Sequence, residues 1–142
     1  MLMNDIDIAK RELEGHSICL CRDGAFFTDD GRGISPMMNF IAEGKDLTGF
    51  SAADVIVGKA AAMLFVKAGI VCVHGKVMSA AGKDFLDSHD IPNTFDELTD
   101  KIINRQGTDI CPMEKTVASL DDIEEGYAAL AAKRLELMSK SK

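Results

Sequence analysis

The chain has 142 residues, a length that fits one domain with its own hydrophobic core. Apolar residues make up 46% of it and charged residues 27%, a composition that excludes a disordered or fibrous protein. The formal net charge of −7 disfavours nucleic acid and anionic membrane surfaces as partners, because such surfaces repel an acidic body.

The first part of the chain predicts a helix, a hairpin and a second helix. Asp5–Glu14 carries its apolar residues on one helical face. Ser17–Cys21 and Ala25–Thr28 are apolar runs on either side of a tight-turn signal, which predicts a β-hairpin. Ser35, followed by proline, has the form of a helix cap, so a helix is expected over Met37–Glu43.

The middle of the chain predicts the centre of the fold. A strand that begins near Asp54 leads into a helix over Ala60–Lys67, with Gly69 as its stop. The almost unbroken apolar surface of this helix indicates burial on most sides. Ile70–His74 is β-branched and apolar, as expected of an interior strand, and Gly75 with the lysine after it is expected to interrupt that strand.

The next segment predicts a helix over Ala80–His89, a short edge strand at Asn93–Phe95 and a helix over Phe95–Ile103. The order of strands and helices favours a mixed sheet between layers of helices. The predicted fold class is therefore α/β, a three-layer α/β/α sandwich.

The last part predicts a loop and two helices. Asn104–Ile110 is polar and contains a glycine, and a helix is expected from Cys111 to about Ser119. Asp121 or Asp122 would cap the last helix. One domain is expected, with a core at about residues 5–119, a C-terminal helix at 121–138 and a frayed tail at 139–142.

The sequence also predicts a compartment. Residues 1–14 lack the basic start and apolar block of a secretory signal. The longest apolar stretch, Ala60–Val66, is far shorter than the roughly 20 residues that a membrane helix needs. The 4 cysteines are too sparse for a disulfide scaffold, so free thiols and a cytoplasmic location are expected.

Gly58 and Lys59 begin the central helix, where free backbone N–H groups and the positive end of the dipole favour an anion. The pair resembles the end of a phosphate loop. However, Ala53 stands where a Walker A loop needs glycine, and no serine or threonine follows the lysine. Two interpretations stay open: a site for a small anion, or a glycine that permits close packing beside a lysine that extends to solvent.

The segment around Cys111 is a second candidate site. Pro112 at the first helical position makes Cys111 the N-cap residue, where the helix dipole favours a thiolate, and Arg105 or Lys115 would add to that effect. Cys111 is therefore a candidate nucleophile or redox centre. Glu114 has the spacing of a capping box, so the segment can equally be a loop and a helix start.

Two further groups of residues have a chemical and a structural interpretation. Asp54 precedes the central helix and is either a general acid or base, or a helix cap. Cys19 and Cys21 share one face of a strand, and so do Cys72 and His74. Neighbouring strands would bring these four together, but their spacings are not those of a zinc ribbon, so no metal and no cofactor are expected.

Four segments stand in an order and spacing that resemble the signatures of a small prokaryotic family, domain of unknown function 1893. They are Val57–Ala62, Asn104–Arg105, Gly107–Thr108 and Cys111–Lys115, and the resemblance extends over about Asp5–Val117. It implies a cytidine-deaminase-like fold, which is a three-layer α/β/α arrangement around a mixed sheet.

Catalytic deaminases of that fold hold zinc with a His/Cys-x-Glu motif at one helix start and Pro-Cys-x-x-Cys at the next. This chain has Asp54–Lys59 and Ser79–Gly82 at those places and lacks both motifs. The resemblance therefore implies a pocket without zinc, at which two helix N-termini converge. The candidates to line it are Lys59, Asp54, Asn104, Arg105 and Cys111.

The leading hypothesis is a protein that binds a small anionic or nucleotide-like metabolite, with Gly58 and Lys59 on the anion and Arg105 beside it. The competing hypothesis is a non-catalytic interaction or regulatory module, as a homodimer.

Catalysis, if present, is expected to use the Cys111 thiol as nucleophile or sulfur carrier. Arg105 or Lys115 would then stabilise charge, and Asp54 or Glu114 would move protons.

Overall fold

The computed structural model describes residues 3–104 and 106–140, which form one mixed β-sheet flanked by helices. The hairpin strands β1 (Ile18–Arg22) and β2 (Ala25–Asp29) pair antiparallel, as predicted. β1 also pairs antiparallel with β3 (Ser51–Val57). β4 (Cys72–Ser79) and β5 (Asn93–Thr99) continue the sheet parallel to β3, in the order β2-β1-β3-β4-β5. The predicted α/β fold with a mixed sheet is confirmed.

Helices cover both faces of the sheet. Within the described residues they are α1 (Asp5–Glu12), α2 (Ser35–Ala42), α3 (Lys59–Ala68), α4 (Ala80–Ser88), α5 (Pro112–Val117) and α6 (Ile123–Lys140). On one face, α1 buries Ala9 against Cys19. On the other face, the remaining helices share the main core, which includes Phe65, Leu86 and Leu130. Across the described ranges, no helix has both the length and the apolar character needed to cross a bilayer.

The central helix α3 is the most deeply buried helix, as its composition predicts. Every residue from Ala60 to Phe65 is at most 5% exposed. The helix ends at Gly69, whose φ of 83° is the left-handed conformation that glycine adopts at helix ends without strain. Because α2, α4, α5 and α6 all contact α3, the position of its first turn determines the geometry of the neighbouring helices.

Gly75 lies within β4, so the predicted interruption at Gly75 and Lys76 is wrong. Gly75 pairs with Asp54 on β3 and with Phe95 on β5. A Cβ atom at this position would lie 2.9 Å from Val57 Cγ2. The glycine therefore permits close packing against the neighbouring strand, and pairing on both sides keeps the strand continuous.

The helix predicted over Phe95–Ile103 is also wrong, because β5 continues to Thr99. β4 offers an unpaired edge, and hydrogen bonding along that edge outweighs the helical preference of a short segment. As a consequence, Phe95 and Leu98 remain 36% and 46% exposed on the edge strand.

Three predicted helix caps have different outcomes. Ser35 is the first residue of α2 and Ile34 is its N-cap, because the Ser35 N–H already donates to Arg32 in the preceding turn. The prediction of a Ser35 cap is therefore wrong. Cys111 is the N-cap of α5, as predicted. Of the two aspartates proposed to cap the last helix, it is Asp122 that accepts a backbone N–H in its first turn.

Candidate ligand-binding cleft

An open cleft of about 570 Å³ lies at the carboxyl ends of the three parallel strands. In open α/β sheets ligands bind at this edge, where loops and helix N-termini meet. One wall comes from the start of α3 and from α4 with its N-cap, and it contributes Lys59, Ser79, Asp84, Phe85 and Ser88. The other wall is the segment between β5 and α6, described over residues 100–104 and 106–122 and called the strap below; it contributes Asp100, Lys101, Ile102, Ile110, Glu114, Ala118 and Asp121.

The carboxylate of Glu114 lies against the start of α3. Its Oε1 accepts the backbone N–H of Lys59 at 2.8 Å, and its Oε2 accepts that of Ala60 at 2.8 Å. A helix cannot satisfy these N–H groups internally, and a negative charge at its N-terminus interacts favourably with the dipole. Glu114 therefore occupies the position at which the sequence predicts an external anion.

Gly58 is the N-cap of α3, and its backbone is extended, with φ at −101°. A Cβ atom on Gly58 would collide with the Glu114 carboxylate. A Cβ atom on Gly82 would lie 2.9 Å from the backbone of Val57 and Gly58. Both glycines thus serve close packing at the site, which is one of the two interpretations that the sequence leaves open for Gly58.

Lys59 ties the strap to α3 instead of extending into solvent. Its side chain is 12% exposed, and its Nζ donates to the Asp121 carboxylate at 3.1 Å. The same Nζ donates to the backbone carbonyl of Ala118 at 3.3 Å. Lys59 and Glu114 together form a clamp between the first turn of α3 and the strap.

The other charged groups of the cleft lack partners. The side chains of Asp84, Asp100 and Lys101 make no hydrogen bond and no ion pair with any residue that the structure describes. Lys59 pairs with Asp121, and the Glu114 carboxylate is engaged by two backbone N–H groups, so the three other groups contribute most to the charge that a ligand meets. Two carboxylates and one ammonium leave the cleft with an excess of negative charge.

Asn104 and Lys115 line a second cavity of about 420 Å³, which Lys133 also borders. Both side chains have structural contacts. The Asn104 amide accepts from the Thr108 N–H at 3.0 Å and donates to the Thr108 hydroxyl at 3.2 Å, which shapes the turn between them. Lys115 pairs with Asp109. These two predicted ligand-binding residues are therefore apart from Lys59.

Cys111 borders neither cavity. It is half-buried at the start of the six-residue helix α5, and its N–H donates to the Ile102 carbonyl at 2.8 Å. Glu114 points to α3, so its side chain does not turn back to form a capping box with Cys111. Arg105, predicted beside the anion, lies outside the described residues.

Asp54 lies inside β3, so the interpretation as a helix cap is wrong, and Gly58 takes that position. Its side chain is 7% exposed, and its Oδ1 accepts the Ile56 N–H at 3.3 Å. Burial raises the pKa of Asp54 to about 7, because water no longer solvates the charged form. Asp54 borders neither cavity.

The cysteine and histidine pairs lie on strands that are not neighbours. Cys19 and Cys21 are on β1, whereas Cys72 and His74 are on β4, with β3 between the two strands. Cys19 aligns with Ala53, which in turn aligns with His74, a separation of two strand spacings or about 10 Å. Among the described residues, no group of three or more His, Cys, Asp or Glu side chains has the geometry to hold a metal.

Sequence reasoning missed Ser79, Asp84, Asp100 and Lys101 as cleft residues. Ser79 caps α4, with its Oγ accepting the Gly82 N–H at 3.0 Å. For Ser79, Asp100 and Lys101 the signal is a position at the carboxyl end of a parallel strand, whereas Asp84 lies within α4. The helix predicted over Phe95–Ile103 includes Asp100 and Lys101, so the sequence does not place these two residues at the end of a strand.

Comparison with known proteins identifies relatives of the chain. The family model described as domain of unknown function DUF1893 matches residues 8–133. The crystal structure of a DUF1893 family protein from Thermotoga maritima matches with a TM-score of 0.84 and 25% identity, over 94% of this chain and 92% of that one. A search of curated proteins finds no match.

The contact between Gly58 and Glu114 predicts a non-additive pair of substitutions. Glu114→Ala is expected to lower the free energy of unfolding by about 2 kcal/mol, because two helix N–H groups lose their acceptor. Gly58→Ala is expected to destabilise the wild-type protein through the collision with Glu114. In the Glu114→Ala background the Gly58→Ala change should cost far less, because the carboxylate is absent and the backbone of Gly58 is not in the left-handed region.

Urea unfolding of the four proteins measures the coupling, and Glu125→Ala, on the exposed surface of α6, is the matched control. Strictly additive costs would contradict the close contact between these two residues.

The burial of Asp54 predicts a pH dependence of stability. Its folded pKa of about 7 lies above that of the unfolded chain, so the folded state binds the extra proton between these values. The contribution of Asp54 to the free energy of unfolding is fully present below about pH 4. It is lost as the pH rises to about 7, and the total loss is on the order of 4 kcal/mol. The difference in unfolding free energy between the wild type and Asp54→Asn should follow this curve. A difference that is flat with pH would contradict it.

Proposed function

The chain belongs to the DUF1893 family, and from that premise and the geometry of the cleft we propose that it binds a small polar metabolite with a positively charged group. The proposal requires no zinc and no other cofactor. The observation that carries it is a pair of carboxylates, Asp84 and Asp100, in a cleft at the carboxyl ends of parallel strands. Neither carboxylate has a partner among the residues that the structure describes.

The charge of the ligand follows from what remains free in the cleft. Glu114 already holds the N–H groups of α3, and Asp121 already pairs with Lys59. A cationic group between Asp84 and Asp100 gains attraction without displacing any existing contact. Lys101 is available for a neutral or anionic acceptor elsewhere on the same ligand.

The shape of the ligand follows from the apolar part of the cleft. Phe85 on α4 and Ile102 and Ile110 of the strap line the same cleft. Such surfaces contribute affinity through burial, while a few polar groups fix orientation. An amine attached to a small flat or aliphatic body satisfies both parts of the cleft.

The anionic or nucleotide-like ligand predicted from Gly58 and Lys59 is the second candidate. An anion would bind at the first turn of α3 by replacing Glu114 as the acceptor of the two N–H groups. Such a ligand would open the clamp between α3 and the strap, so its binding would carry the cost of breaking those contacts.

We also propose that the fold belongs to the cytidine-deaminase-like superfamily, without its zinc-binding residues. Support comes from the mixed sheet, in which β3 and β4 each lead directly into a helix at the cleft. Neither helix start carries the zinc motifs in this sequence, so hydrolytic deamination is not proposed. Thiol chemistry at Cys111 remains a prediction of the sequence, since that residue borders neither cavity.

Ligand screening by thermal shift tests the proposal. Amines, amino acids, nucleosides and phosphorylated metabolites form the panel, and a ligand at one hundred times its Kd stabilises by about 2.7 kcal/mol. An amine-bearing compound is expected to bind, and Asp84→Asn or Asp100→Asn is expected to weaken it about tenfold. Asp90→Asn, which removes an exposed charge outside the cleft, is the matched control.

Stabilisation by phosphorylated compounds alone, lost in Lys59→Ala, would favour the second candidate. Failure of every class to bind would contradict both.

A non-catalytic dimeric module is the alternative function, and the exposed apolar residues of the edge strand β5 favour it. If β5 forms the interface, light scattering will show a dimer that Leu98→Lys converts to a monomer, because the charge would be buried there. Leu135→Lys, at a leucine that is 69% exposed on α6, should leave the dimer intact. A monomeric wild-type protein would exclude this alternative.

A further inference from the structure

A hydroxyl, an imidazole and a carboxylate form a chain on the sheet face that carries α1. His74 on β4 and Thr94 on β5 are aligned across the two strands. Nδ1 of His74 lies 2.7 Å from the Thr94 hydroxyl. Nε2 of the same ring lies 3.4 Å from the Asp96 carboxylate, two residues further along β5. The three side chains thus follow the order of a nucleophile, its base and the group that orients the base.

The partners of the ring determine the direction of each hydrogen bond. The Asp96 carboxylate can only accept, so the neutral His74 ring carries its proton on Nε2. Nδ1 then presents a lone pair, and the Thr94 hydroxyl must donate to it. This tautomer is the one in which an imidazole can remove the proton of a hydroxyl nucleophile.

The base and the nucleophile differ in their exposure to solvent. His74 is 3% exposed, whereas Thr94 lies on the exposed edge strand. Burial lowers the pKa of His74, and the positive charge of Lys10 on α1 lowers it further, so the ring is neutral at pH 7 and able to accept a proton. Lys10 itself makes no ion pair in the described part of the chain, and its positive charge disfavours protonation of the His74 ring.

We propose that Thr94 is an acyl-accepting nucleophile for small activated esters, with His74 as its general base and Asp96 as a positioning residue. The Thr94 oxygen forms a bond to the acyl carbon while its proton passes to His74 Nδ1. The bond to the leaving alcohol then breaks, and that oxygen takes the proton from Nδ1. Water, deprotonated by the same nitrogen, subsequently hydrolyses the threonyl ester to a carboxylic acid and restores the hydroxyl.

This site is distinct from the ligand-binding cleft. Thr94 is near the amino end of β5, whereas the cleft begins beyond Thr99 at the carboxyl end, roughly 16 Å away along the strand. Acylation of Thr94 is therefore expected whether or not a ligand binds at the cleft.

Acylation by p-nitrophenyl acetate tests the proposal on the intact chain. We expect a burst of p-nitrophenol and an acetyl adduct that peptide mapping places on Thr94. Hydroxylamine should remove this adduct, because it cleaves esters and leaves the amides formed on lysines. Thr94→Val should abolish the adduct and Thr94→Ser should retain it, whereas Thr28→Val, on the opposite edge strand, should have no effect.

The role of Asp96 is tested at the surface, where substitution does not disturb the core. Asp96→Asn should slow acylation at least about tenfold, because a neutral amide does not stabilise the imidazolium and its NH2 group can donate to Nε2, which favours the wrong tautomer. Asp96→Glu should restore part of the rate. An adduct confined to lysines or to Cys72 would overturn the proposal. Equal acylation rates in the wild type and Asp96→Asn would overturn the role of Asp96.

Discussion

The contact between the Glu114 carboxylate and the first turn of α3 is the interaction on which the cleft depends. α3 is the helix around which the main core packs, and its first N–H groups need acceptors that a buried helix cannot obtain from bulk water. Glu114 supplies both acceptors from 55 and 54 residues along the chain. The strap is thereby held against α3 and becomes the far wall of the cleft. The absence of a side chain at Gly58 is what allows the carboxylate to approach.

The clamp also removes the positive charge of Lys59 as a binding group for an external anion. In isolation, a lysine at a helix N-terminus indicates an anion site, because dipole and side chain act in the same direction. In the folded protein that charge meets Asp121, and the helix end meets Glu114. The acidity of the whole chain therefore extends into the cleft. In the part of the chain that the structure describes, Asp84, Asp100 and Lys101 have no partner, and their net negative charge favours a positively charged ligand.

The sheet carries two polar regions that differ in their design. At the carboxyl ends of the strands, an open volume is lined by charged groups, of which Asp84, Asp100 and Lys101 have no partner within the described ranges. Near the amino end of β5, His74 is enclosed and every polar contact of its ring is directed at β5. The first arrangement suits recognition, and the second suits activation of one hydroxyl. Both rely on β5, which pairs with β4 along its whole length.

The sequence by itself determined the hairpin, the buried central helix with its stop at Gly69, the mixed α/β class and the family segments. Each of these depends on neighbours within a few residues or on hydrophobic periodicity. Tertiary structure decided the extension of β5, the burial of Asp54, the partner of Glu114 and the membership of the cleft. A strand edge, an apolar enclosure and a helix end in need of an acceptor arise only when distant segments meet. A local sequence pattern does not show which distant residue will make such a contact. Glu114 has the spacing of a capping box for α5, but in the folded protein it caps α3.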